Sequence, residues 1–114
     1  MPISSFQKYV YEYLGVFILF DVIYTLTKKH ESNGKHHNPN VNLVLTAFGI
    51  GMALTAAILL CANVSGGHLN PAVSIMAWAN GSLSTELLPG YIIAQLLGAL
   101  SVVYFNKYFK NDTN

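Results

Sequence analysis

The sequence has no arginine, a single cysteine and very little charge. Charged residues fill 10% of the 114 positions, against roughly 25% in a soluble domain. That shortfall excludes an ordinary water-soluble fold and puts the chain in the membrane class. The cations are all lysine and the formal net charge is +1, too little to suggest a nucleic-acid partner. Cys61 has no second cysteine to pair with, so an intramolecular disulfide is excluded. Within its apolar run it reads as a small buried hydrophobe. The length suits one compact unit and no second domain, and the chain has no internal repeat.

What is present is apolar: 53% of the residues are hydrophobic. A helix that crosses a bilayer needs about 20 of them in a row. The first candidate runs from about Phe6 to Leu26. It carries Glu12 and Asp21, so it cannot face lipid all round. It ends in Lys28 and Lys29 with no small-residue cleavage site, and so reads as a span and not as a removable signal. A polar stretch over residues 27–40 follows, with Asn33-Gly34 and Asn38-Pro39 as turn signals. The second candidate, Val41–Ala62, has no charge at all. The third runs from about Leu87 to Phe105, with Gly90, Ala94 and Gly98 as a small-residue stripe for close helix approach.

Residues 63–80 fit neither a span nor a surface loop. The helical part, Pro71–Asn80, would rise about 15 Å, half of a bilayer core. An apolar helix of that length reads as a re-entrant half-helix, which is tolerated only where it lines a cavity or is buried in protein. Asn70 is a preferred N-cap, Pro71 suits the first helical position and Gly81 suits a left-handed C-terminal cap. Gly66 and Gly67 allow the tight entry turn. The expected fold is all-α: three transmembrane helices plus one re-entrant half-helix.

Four stretches now agree in order. Ser65–Ser74, SGGHLNPAVS, resembles the first Asn-Pro-Ala loop of the aquaporin and aquaglyceroporin family, the major intrinsic proteins. Tyr11–Phe17 resembles the start of that family's first helix with its glutamate. Ala47–Leu54 resembles its second helix, and Gly90–Leu100 its third with the glutamine in place. The resemblance covers nearly the whole chain. It implies half of a fold with six helices and two half-helices in inverted repeats, so residues 1–114 read as a single half-channel domain. The second Asn-Pro-Ala segment and the arginine that follows it in the family are absent.

The resemblance also implies roles. Asn70, Pro71 and Ala72 are the Asn-Pro-Ala motif. Gly66, Gly67, His68 and Leu69 present carbonyls as a ladder of acceptors along a solute path. Phe48 matches the aromatic constriction, where phenylalanine is typical of water-selective members and tryptophan of glycerol-selective ones. Met52 and Val73 match further apolar wall positions. Glu12, with Gln95, supports the loop by accepting hydrogen bonds from its backbone.

The residues alone leave other readings open. Asn70 can be a plain helix cap, the glycines can serve packing, and Phe48, Met52 and Val73 can face core or lipid. Asp21 departs from the family's small residues. His30, His36 and His37 form a loop cluster, for which a solvated loop competes with a metal site. Asn111-Asp112-Thr113 is a formal glycosylation sequon.

The expected function is passive permeation of water or a small neutral solute. The alternatives are a non-conducting structural or regulatory subunit, or a fragment of a full-length channel. No nucleophile, base and orienting group come together in the sequence, so no enzyme, catalytic residue, metal or cofactor is expected. The expected partners are the lipid bilayer and a second half-channel or C-terminal half, with a higher oligomer left open. The chain reads as a multi-pass integral membrane protein. On orientation two arguments conflict. The resemblance puts the N-terminus in the cytoplasm, which leaves Lys28, Lys29, Lys35, Lys107 and Lys110 outside. Lysine is normally enriched inside.

Overall fold

The computed structural model describes residues 2–32 and 39–110, with side chains described for 2–28 and 42–110. All regular structure in them is helical: α1 Ser5–Ser32, α2 Pro39–Ser65, α3 Pro71–Ala79 and α4 Leu88–Phe109. Three of these are long and apolar enough to cross a membrane, over Ser5–Lys28, Asn42–Ser65 and Leu88–Phe109. The fourth, α3, has 9 residues and rises about 14 Å.

Each long helix runs past the apolar stretch that announces it, α1 and α2 at both ends and α4 at its C-terminal end. At the start of α1, Gln7 N–H donates to Ser4 Oγ at 3.1 Å and Ser4 N–H donates to Gln7 Oε1 at 2.8 Å, a reciprocal capping box. At the far end Thr27 Oγ1 bonds back to Ile23 O at 2.7 Å, and the helix continues through the lysines to Ser32. Part of the polar 27–40 stretch is therefore helix, not loop. α2 takes in Asn63, Val64 and Ser65, and Gly66 N–H closes its last turn on Ala62 O at 3.0 Å. Asn33, Gly34, Asn38 and the sequon residues lie outside the described residues, as do the side chains of His30, His36 and His37.

α1 is the centre of the assembly. It packs against both α2 and α4, while α3 packs against α4. The small-residue stripe makes the α1–α4 approach close. A Cβ on Gly98 would come within 2.8 Å of Tyr13 O, and one on Gly90 within 2.3 Å of the Tyr9 ring. Tyr13 and Ser101 share a hydrogen bond of 2.7 Å on this seam. At its far end Asp21 Oδ1 accepts from Asn106 Nδ2 at 2.7 Å and from Lys110 Nζ at 3.3 Å. Asp21 lies nine residues, or about 14 Å, from Glu12 along α1.

α2 meets the rest along one stripe only. Among its described side chains, Ala57, Cys61 and Ser65 alone are buried. Ala57 and Cys61 join Val16, Leu19 and Leu69 in an apolar cluster between α1, α2 and the 66–70 segment. The other faces of α2, with Leu43, Phe48, Met52 and Leu59, are exposed.

Candidate functional site

The segment between α2 and α3 doubles back through three residues with positive φ: Gly66 at 92°, Gly67 at 63° and Leu69 at 58°. At Gly67 a side chain would also press on the Ile58 backbone at 3.3 Å, so both conformation and space call for glycine. Leu69 adopts the left-handed region despite its Cβ, which costs of order 1–3 kcal/mol. It is 1% exposed, wedged where a Cβ on Gly15 would reach Leu69 Cδ2 at 2.4 Å. Burial of the leucyl side chain offsets the strain.

Glu12 is fully buried and accepts four hydrogen bonds. Ser65 Oγ and His68 N–H donate to Oε1 at 2.7 and 2.9 Å. Leu69 N–H and Gln95 Nε2 donate to Oε2 at 2.7 and 3.0 Å. A buried carboxylate in an apolar protein is tolerable only with such a shell. Gly67 N–H turns inward as well, onto Ser65 Oγ at 3.2 Å, and Tyr91 Oη donates to Ser65 O at 2.6 Å.

The N–H groups of residues 66–69 are thus all engaged, while among the described residues nothing donates to their four carbonyls. The strip of backbone is polarised, with donors directed into the protein and acceptors left over.

Asn70 follows with extended backbone and caps α3: its Oδ1 accepts from Ala72 N–H at 2.9 Å. The cap occupies the oxygen, and the Nδ2 donors remain without a partner among the described residues. Asn70 is exposed. Pro71 stands at the first helical position. At the other end Gly81, φ 85°, turns the chain so that Ser82 and Leu83 N–H both return to Ala77 O, at 2.8 and 3.0 Å.

Other residues that the sequence singles out lie elsewhere. Phe48 and Met52 share a shallow groove on α2 with Ala47, Gly51 and Thr55. Both are largely exposed and lie apart from the Glu12 cluster. Val73 is half-buried on α3.

The structure also brings in residues that sequence reasoning passed over. Ser74 is fully buried, accepts from Gln95 Nε2 at 2.8 Å and stands 3.0 Å from His68 Nδ1. Ser65 and Ser74 flank the Asn-Pro-Ala motif, which is the one local signal that could have drawn attention to them. Gln95 Oε1 is the only buried side-chain nitrogen or oxygen without a partner among the described residues. No group of three His, Cys, Asp or Glu side chains that could hold a metal ion occurs among them either.

Comparison with known proteins gives a consistent set of relatives. The family model described as "Major intrinsic protein" matches residues 2–113. Aquaporin-8 of Mus musculus is 45% identical over 64 residues, 56% of this chain and 24% of that protein. Aquaglyceroporin-2 of Trypanosoma brucei brucei is 35% identical over 94 residues, 82% of this chain and 28% of that protein. The probable aquaporin TIP3-2 of Arabidopsis thaliana is 37% identical over 103 residues, 85% of this chain and 39% of that protein. The chain therefore spans well under half the length of these relatives.

Proposed function

Because the chain belongs to the major intrinsic protein family and is a multi-pass integral membrane protein, we propose that it forms half the wall of a channel for water or small neutral solutes. One observation carries this reading: the polarised backbone of residues 66–69, which ends at the Asn70 Nδ2 donors, unpartnered among the described residues. A solute moving along the carbonyls donates to each in turn, and at Asn70 it meets donors instead. The N-terminus of α3 adds about half a positive charge at that point. Cations are disfavoured there and neutral solutes are not.

In this reading Phe48, Met52 and Val73 supply apolar wall. Glu12 and Gln95 hold the loop in place and take part in no reaction.

Carbonyls without donors cost several kcal/mol each against lipid. α2 also leaves most of its surface uncovered. A second half must therefore close the path, from the same polypeptide or from another.

Stopped-flow swelling of proteoliposomes tests the proposal. Fast water flux is expected from the chain joined to a completing half and not from the chain alone. Fast flux from a verified monomer would overturn the need for a second half. No flux from any completed assembly would overturn the channel and favour a non-conducting subunit.

A further inference from the structure

Gln95 Nε2 has two hydrogens and both are directed, one to Glu12 Oε2 at 3.0 Å and one to Ser74 Oγ at 2.8 Å. The His68 and Leu69 N–H groups can only donate, one to each Glu12 oxygen, which is the shell of a carboxylate accepting on both. The carboxylate fixes which end of the Gln95 amide faces it, since a flipped amide would set oxygen against oxygen. The unpartnered Gln95 Oε1 is the consequence of that choice.

Ser74 Oγ must therefore accept from Gln95, which leaves its own hydrogen to donate. The acceptor within reach among the described residues is His68 Nδ1, 3.0 Å away. With the hydrogen on Nδ1 instead, Ser74 Oγ would accept twice and its own buried hydrogen would have no acceptor among the described residues, so pairing every donor leaves the lone pair on Nδ1 and the imidazole hydrogen on Nε2.

Nε2 has no partner among the described residues, yet it is not among the buried unpartnered atoms, so it is accessible. It lies beside exposed Gly66, 3.3 Å from where a Cβ would stand. The carbonyls next to it offer only acceptors.

We propose that Gln95 and Ser74 form a one-way relay from Glu12 that holds His68 as the Nε2–H tautomer, making its side chain a hydrogen-bond donor to passing solute. Ser74 is thus a positioning residue. The relay favours solutes that bring lone pairs, such as water or a hydroxyl compound, over those that bring only N–H donors, such as ammonium. The role in permeation rests on the channel reading above, whereas the tautomer is a property of this chain alone.

The test is 15N NMR of the chain in lipid bilayers, with His30, His36 and His37 replaced by Gln so that His68 is the sole histidine. At neutral to alkaline pH the parent should show a protonated Nε2 and a proton-free Nδ1, with no Nδ1–H form. Ser74→Ala should gain the Nδ1–H resonances that the parent lacks, and Ser74→Thr should not. An Nδ1–H form in the parent would overturn the relay without recourse to any variant. So would a folded Ser74→Ala that keeps the single tautomer. The measurement needs no flux, so Nε2–H in the chain with no flux from any completed assembly would overturn the channel and leave the relay standing.

Discussion

Glu12→Gln is the substitution whose effect the geometry fixes most closely. The amide presents one oxygen and two donors where the carboxylate presented two oxygens. With its nitrogen in the Oε2 position it would oppose both Leu69 N–H and the Gln95 amide. With its nitrogen in the Oε1 position only His68 N–H is stranded. Ser65 can then turn its hydrogen to Cys61 O, which already lies 3.3 Å away, and accept from the new amide. The second arrangement should win. Its cost is one stranded N–H, about 1–3 kcal/mol, plus two charge-assisted bonds reduced to neutral ones, about 1 kcal/mol each. The sum is about 3–5 kcal/mol, a large part of a typical folding free energy of about 5–15 kcal/mol. Reversible unfolding in mixed micelles would measure it, followed through Trp78, the single tryptophan, which sits on α3 and donates to Thr85 Oγ1 at 3.1 Å. Exposed Glu86→Gln serves as the control and should stay within about 0.5 kcal/mol of the parent. A Glu12→Gln effect as small as the control's would refute the reasoning.

Asn70→Ala should destabilise α3 by about 1 kcal/mol through loss of the cap and slow water flux in the completed assembly, whereas Asn70→Asp should keep the cap and admit cations. Unchanged flux and unchanged ion exclusion in both would remove Asn70 from the path. Gly98→Val should cost at least about 1–3 kcal/mol, because its Cβ would meet Tyr13 O at 2.8 Å; the micelle titration reads this directly. Lys110→Ala should cost less than about 1 kcal/mol, since the Asp21 pair is partly solvated, with side chains 42% and 26% exposed. Tyr91→Phe should cost about 0.5–1.5 kcal/mol by removing the donor to Ser65 O, again measured by unfolding.

What the sequence made legible follows from range. The charge-free run after Val41 marks a span by itself. Asn70, Pro71 and Gly81 mark the ends of α3 because caps act within a few residues. Glu12, His68, Leu69 and Gln95 stand out singly, the glutamate and glutamine through family resemblance, and the structure joins them in one hydrogen-bonded cluster. The Asp21–Asn106 pair spans 85 positions and the Gln95–Ser74 pair 21, beyond any local pattern. Helix ends were legible only where a cap spells them. Ser4 and Gln7 have the spacing of a capping box, whereas nothing in Thr27–Ser32 announces that α1 continues. Leu69 in a left-handed conformation has no sequence signal at all, because the contacts that compensate it come from α1 and α2.

The shell around Glu12 also imposes an order in time. Glu12 leaves the ribosome 53, 56, 57 and 83 residues ahead of its four donors. At about 5–20 residues per second that is a wait of roughly 3–17 s, long compared with helix formation. Through that interval α1 carries a carboxylate with nothing to receive it, and insertion costs up to roughly 2.5–3.5 kcal/mol, the value for a helix centre, with Glu12 a third of the way along the Ser5–Lys28 span. α1 should therefore linger at the insertion machinery or the lipid surface and enter for good only once residues 65–69 arrive, with Gln95 closing the shell last. Ribosome-stalled chains released after about residue 62 should then leave α1 extractable by alkali, while chains carried past about residue 100 should retain it. The first helix to be made must wait for the end of the second before it is committed.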